Sequence, residues 1–229
     1  MKINFLTKDY DHVVNNLVNK LKEWNFNLSK TQEDGRVNSI INEKEIIDVI
    51  LNRYSEIEIF NKLNLIIEKQ PKERFWYDIL IKNNDKSFYC PINIKVTDLN
   101  KKSADNISSK EGLYFSLTGE ESTTLHNQYK SFFESLNKEM KQTESDYFFI
   151  IFNKNDKEDI FYNSLRRLNS LVPNGNNLPF QCKWIENKTI INRSFEQAKN
   201  FLLSNFFESI KRRSQILSEF ESVFGSSIE

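Results

Sequence analysis

The chain has 229 residues, 38% of them hydrophobic and 13% aromatic, enough to bury a core of its own, and a single domain over residues 1–229 is the simplest organisation. Its 32 basic and 32 acidic side chains cancel, so the strongly basic balance of many nucleic-acid binders is missing. No uncharged apolar run reaches the ~18 residues of a membrane span, and no secretory leader is seen, which points to a cytoplasmic protein with no membrane partner.

Val13, Val14, Leu17, Leu21 and Trp24 recur at helical intervals and predict an amphipathic helix over Asp9–Leu28. The polar stretch Gln32–Asn42, with Gly35, leads into a second helix at about Glu43–Asn61, with Ile46, Ile47, Ile50 and Leu51 on one side. Leu65–Lys69, Phe75–Lys82 and Phe88–Thr97 are rich in β-branched and aromatic residues and predict strands. The turn composition Asn83-Asn84-Asp85-Lys86 joins the last two as a hairpin. Asp98–Glu111 reads as loop, and Gly112–Thr118 as a short strand or turn. A helix is expected at Leu125–Lys141, a buried strand at Asp146–Phe152, and a helix at about Asp159–Leu171. The loop Val172–Leu178, a strand at Phe180–Ile185 and a helix at Ser194–Phe224 complete the series. The fold class is α/β, a mixed central sheet flanked by helices.

Several chemistries lack their parts. Cys90 and Cys182 each lie in apolar stretches, so reduced buried thiols are expected rather than disulfide or zinc chemistry. His12 and His126 stand in unrelated polar contexts, which leaves no Ser-His-Asp triad and no histidine-metal finger. Phosphate-binding glycine loops are absent. Carboxylate and lysine chemistry remains. In the predicted hairpin, period-two alternation turns Asn93 and Lys95 to one face, towards Asp78 on the partner strand. Phosphodiester hydrolysis requires a hard divalent cation held by oxygens, an oriented water and positive charge near the phosphorane. An acid, an amide oxygen and an ammonium at this spacing meet those needs. Asp78 and Lys95 sit among apolar residues, where an unpaired charge is costly unless it binds something; a solvated strand edge is the plainer alternative.

This region resembles the PD-(D/E)XK type II restriction endonucleases, and more closely their blunt-cutting, EcoRV-like members. In those an acid opens the first strand and an acid-Ile-Lys-Thr sequence ends the second; here Asp78 and Asn93-Ile94-Lys95-Val96-Thr97 correspond. Gly35–Ser39 leading into Asn42-Glu43-Lys44 is similar to the stretch before the helix that backs the active site. Glu68-Lys69-Gln70-Pro71 is similar to a glutamine-rich minor-groove loop, and Pro173–Asn177 to an Asn/Gly-rich major-groove loop. Ala104–Asn106 and Gly112–Gly119 resemble restriction enzymes that carry Asn-Ile-Lys. The resemblance implies a restriction-endonuclease-like core at about residues 35–185, with Asp78, Asn93 and Lys95 catalytic. It implies Mg²⁺ held by Asp78 and Asn93, with Glu43 as an auxiliary carboxylate. It further implies a homodimer on a palindromic site in double-stranded DNA, with Gln70, Asn174, Asn176 and Asn177 in contact. A cognate DNA methyltransferase is expected in the same restriction-modification system, though not as a physical partner.

Asn93 stands where the motif calls for Asp or Glu, offering oxygen but no charge. Either Asn serves there naturally or the chain is a catalytically inactive, sequence-specific DNA-binding protein. Glu43 has a plainer reading, complementing a helix N-terminus. The Asn174–Asn177 loop has two: a turn built from residues tolerant of positive φ, or amides that pair with adenine, which suits an AT-containing site. Lys72/Arg74, Lys101/Lys102, Arg166/Arg167 and Lys211–Arg213 are basic groups that one face is expected to offer to phosphate. Phe206, Phe207, Phe220 and Phe224 read as core or dimer contacts, and a helical interaction protein without DNA is the remaining alternative.

Overall fold

The computed structural model describes residues 4–26, 35–73, 75–107, 109–122 and 128–224, and of residues 35–40, 221, 223 and 224 it describes the backbone alone. Helix α1 (Thr7–Glu23) buries Tyr10, Val13, Val14, Leu17, Val18 and Leu21, the stripe its periodicity predicts. Helix α2 (Gly35–Arg53) starts earlier than expected: Gly35–Asn42 lies inside it, while Gln32–Asp34 falls outside the described residues. It also stops at Arg53 instead of continuing to Asn61. A 3₁₀ turn at Tyr54–Glu56 and the short α3 (Glu58–Lys62) follow, divided by Ile57, whose backbone is extended and whose side chain is buried. Tyr54, Ile57 and Phe60 continue the helical spacing through this break and conceal it in the sequence.

Strands β1 (Ile66–Lys69), β2 (Ile79–Lys82) and β3 (Tyr89–Thr97) form an antiparallel meander. Phe75–Tyr77, expected within the second strand, is irregular instead. Its rings pack on one another, Phe75 against Tyr77 edge to face at 4.7 Å, so aromatic content there reports packing rather than a ladder. Two-residue β4 (Asp105–Asn106) lies in the expected loop. Helix α4 (Lys110–Thr118) replaces the expected strand or turn. Ser109 caps it by accepting the Gly112 N–H at 3.1 Å, and Gly119 ends it at φ 72°. All of Gly112–Thr118 is buried, so no polar face betrays a helical period. Helix α5 (Tyr129–Glu139) covers most of the next expected helix; Leu125 and His126 fall outside the described residues.

Strand β5 (Phe148–Asn153) lies parallel to β3, and β6 (Ile160–Ser164) antiparallel to β5, giving the sheet order β1-β2-β3-β5-β6. The helix expected at Asp159–Leu171 is thus corrected to an edge strand and a 3₁₀ turn at Leu165–Arg167. The free side of β5 demands a backbone partner, and that overrides local preference. Of the strand expected at Phe180–Ile185 only β7 (Gln181–Cys182) forms, paired with β4, before a 3₁₀ turn at Trp184–Asn187. Helix α6 (Phe195–Phe224) matches its expectation.

The sheet's alternation divides the core. Ile79, Ile81, Ile92, Ile94, Phe148 and Ile150 face α1 and α2, whereas Leu80, Phe149 and Ile151 face Leu113, Phe132, Leu202 and Phe206 of the other helices. Cys90 and Cys182 are buried free thiols. Among the described residues no helix is long and apolar enough to cross a membrane.

Arg166 and Arg167 do not form the expected phosphate-facing pair. The Arg166 guanidinium donates to the carbonyls of Thr143 and Ser145, both at 2.7 Å. Arg167 donates to both oxygens of Asp11 on α1, at 2.7 and 2.6 Å, and to Ser164 Oγ at 2.7 Å. Its side chain is only 9% exposed, so the bidentate pair ties α1 to the edge of the sheet. Arg167→Ala strands a partly buried carboxylate and is expected to lower stability by about 3–5 kcal/mol in urea unfolding. A loss below about 1 kcal/mol would return Arg167 to the surface role.

Candidate active site

Strand β3 outlasts its neighbour. β2 pairs with Tyr89–Ile92, while residues 93–97 continue beside β5 alone. Odd-numbered residues there turn their backbone groups to β5, as the Thr97 carbonyl accepting Lys154 N–H illustrates. The N–H groups of Ile94 and Val96 point the other way, where among the described residues no strand lies, and a buried backbone donor needs an acceptor. Carboxylates supply it. Asp78, at the point where the chain enters β2, accepts the Ile94 N–H through Oδ2 at 2.7 Å. Glu43, from α2, accepts the Val96 N–H. Two acids thereby occupy successive positions on one strand edge, roughly 7 Å apart along it, twice the rise per residue.

Lys95 lies between those two positions on β3, and its charge lowers the pKa of both acids. Burial opposes it and wins. Burial is the largest influence on Glu43 and, helped by the charges of Asp78 and Asp105, lifts its carboxyl to about 7 against the pull of Lys95 and the Val96 N–H. Burial also raises Asp78, opposed by the Ile94 N–H and Lys95. Since α2 begins at Gly35, Glu43 is mid-helix, and the reading that it complements a helix N-terminus is corrected.

Asn93 is on the same face as Lys95. Its amide hydrogen-bonds the hydroxyl of Tyr147, a fully buried side chain whose O–H donates to the Trp76 carbonyl. The Asn93 Oδ1 is buried and, among the described residues, has no hydrogen-bond partner. Among the described residues no group of three or more His, Cys, Asp or Glu side chains converges. The donors at hand are therefore two carboxylates and one orphaned amide oxygen, an all-oxygen set that suits a hard divalent ion.

The other expected residues divide. Gln70 donates its backbone N–H to the Asp78 carbonyl at 2.9 Å, which extends the β1–β2 ladder and sets this loop beside the acid. Asn174 faces inward: its side-chain Oδ1 accepts the N–H groups of Asn176 (2.8 Å) and Asn177 (3.1 Å), and its Nδ2 donates to Gln181 Oε1 at 2.6 Å. That geometry is a turn cap. Asn176 and Asn177 are exposed at the tip. Arg212 and Arg213 of α6 clamp the loop from behind through the carbonyls of Pro173 (2.9 Å), Gly175 (2.7 Å) and Asn176 (3.2 Å). A Cβ on Gly175 would stand 2.7 Å from the Arg213 backbone nitrogen, so only glycine permits this approach.

Sequence reasoning missed Tyr147 and Asp105. Tyr147 heads a Phe-rich strand, and its one polar tip in that apolar run was the available signal. Nothing in the spacing marked Asp105. The chain matches no protein-family model, and a search of curated proteins finds no match.

Because Glu43 titrates near 7 when folded, against an ordinary value of 4.5, the native chain holds a proton between those values that the unfolded chain has released. Its contribution to stability therefore declines as pH rises from 4.5 to 7 and is flat above. In chelator-treated protein, Glu43→Gln is expected to raise stability at pH 8 by on the order of 2 kcal/mol. The gain should vanish near pH 4.5. Urea midpoints at the two pH values measure this, and a destabilised variant at pH 8 would contradict the assignment.

Proposed function

We propose that the chain is a magnesium-dependent type II restriction endonuclease that hydrolyses both strands of a palindromic, AT-containing site in double-stranded DNA. The observation that supports it most is the pair of desolvated carboxylates, Asp78 and Glu43, fixed on consecutive edge N–H groups of β3 with Lys95 between them. Burial holds both groups towards their neutral form, and a cation between them would favour the ionised pair. Asp78, Glu43 and the orphaned Asn93 oxygen would hold Mg²⁺, which when bound polarises a phosphate and acidifies a water.

The remaining steps belong to the chain. Lys95 would meet a non-bridging phosphate oxygen and stabilise charge there as it grows. The Ile94 and Val96 N–H groups keep both carboxylates from rotating, which limits reorganisation during reaction. Exposed Asn176 and Asn177 would present amides to base edges in the major groove, and Gln70 would approach the minor groove beside Asp78. With Arg166 and Arg167 used internally, exposed Lys72 and Lys102 would meet phosphates. A two-fold site suits a homodimer. The mixed five-stranded sheet, with both acids where β3 leaves β2, is compatible with a restriction-endonuclease-like core. One observation favours a second reading, a catalytically silent DNA-binding protein of the same fold: position 93 carries an amide in place of an acid.

Plasmid digestion with Mg²⁺, with and without chelator, tests the proposal. Asp78→Ala and Lys95→Ala are each expected to abolish cleavage; only Asp78→Ala should also lose Mg²⁺-dependent tightening on DNA. Asn93→Ala is expected to cripple turnover. Wild-type protein inert in Mg²⁺ and Mn²⁺, alongside an Asn93→Asp variant that cuts, would establish the silent binder. On the binding side, affinity should fall by orders of magnitude between about 50 and 200 mM salt. Asn176→Ala or Asn177→Ala should cost roughly 1–3 kcal/mol on cognate DNA and little on random DNA. Equal losses on both would reduce the loop to a turn.

A further inference from the structure

The tip that carries Asn176 and Asn177 is joined to the end of β3 by a series of side-chain hydrogen bonds passing through one residue. Asn174, which fixes both tip N–H groups, donates its amide to Gln181 Oε1 at 2.6 Å. The Gln181 Nε2 in turn donates to Asn106 Oδ1 at 2.7 Å. Asn106 and Asp105 form β4, and the Asp105 carboxylate accepts from Thr97 Oγ1 at 2.9 Å and from the Lys101 ammonium. Thr97 is the last residue of β3, two positions beyond Lys95 and on the same face. The backbone runs alongside: Gln181 exchanges both hydrogen bonds with Val172, at 2.7 and 2.9 Å, and pairs with Asn106 across the ribbon. Gln181 is thus bonded through its backbone and both side-chain ends to the loop on one side and the ribbon on the other.

We propose that Gln181 is a positioning residue that sets the distance and angle between the base-reading tip and the cutting strand; this rests on the nuclease reading above. Its side chain touches neither DNA nor metal in this assignment. The amide is suited to the task because it gives one acceptor to Asn174 and one donor to Asn106, so neither neighbouring amide is left unpaired. A hydrocarbon of similar size keeps the packing and the backbone ladder while cutting both links. The direct link between reading and cutting would then be reduced to the two-residue ribbon, with the loop otherwise held through α6, and a small misplacement of reacting groups is enough to slow chemistry about 100-fold.

The test compares wild type, Gln181→Leu and Gln181→Glu as full chains on cognate DNA, one-base-mismatched DNA and random DNA. In Gln181→Glu one carboxylate oxygen still accepts from Asn174, and the Asn106 amide can turn to donate to the other. Single-turnover cleavage at saturating enzyme, cognate-to-mismatch ratio and equilibrium binding are read separately. The expected result for Gln181→Leu is a fall of about tenfold or more in the cognate cleavage rate and a narrowed cognate-to-mismatch ratio. Its affinity for random DNA should stay within about twofold, since phosphate contacts are untouched. Gln181→Glu should recover most of the rate. Wild-type rate and discrimination in Gln181→Leu would overturn the assignment, as would parallel loss of random-DNA binding and of cooperative unfolding, which marks general damage. A wild-type chain that does not cut DNA, whether or not it binds it, overturns the nuclease reading itself, and this is seen before any variant is compared.

Discussion

Strand β3 is longer than the partner on one of its sides, and two backbone N–H groups are left without a ladder. Ile94 and Val96 are buried, so water is not there to satisfy them. The protein uses carboxylates in place of a missing strand. Asp78 occupies the place where β2 ends, and Glu43 reaches in from α2, so the connection of helix to sheet and the placing of charge are the same contact. Burying two acids costs free energy, and their raised pKa values record that cost. The fold around β3 therefore holds two carboxyl groups at an electrostatic cost set by their burial.

The same accounting bears on position 93. A third carboxylate beside Asp78 and Glu43 would add like charge to a site where two acids already resist ionisation. Tyr147 adds a geometric reason, since its hydroxyl hydrogen is committed to the Trp76 carbonyl and its oxygen takes a donor from Asn93. An aspartate has no such donor. An amide satisfies the tyrosine and leaves one buried oxygen over.

Much of this was legible in the sequence where a period-two pattern met a half-sided environment. The hairpin of β2 and β3, the common face of Asn93 and Lys95 and the buried run of β5 follow from alternation and apolar content. Position-specific contacts were not legible. The role of Glu43 depends on a helix that begins at Gly35, inside a stretch polar enough to read as loop. Helix α4 is enclosed on every side, so it has no amphipathic stripe, and β6 is a strand because β5 needs a neighbour. Arg166 and Arg167 look like surface charge in sequence, yet one meets two carbonyls and the other an aspartate more than 150 positions away. Sequence spacing carries no trace of such long-range pairs.

Within the loop before β7, labour is divided between neighbours. Asn174 and Gly175 form the frame, one through its hydrogen bonds and the other by lying too close to the α6 backbone for any side chain. Asn176 and Asn177 take part through their backbone groups, and their side chains stand outside the frame. Change at the second pair leaves the loop's shape intact, while change at the first removes it. Such a loop can change the surface it displays at two adjacent positions without altering the hydrogen bonds and the close backbone approach that shape it.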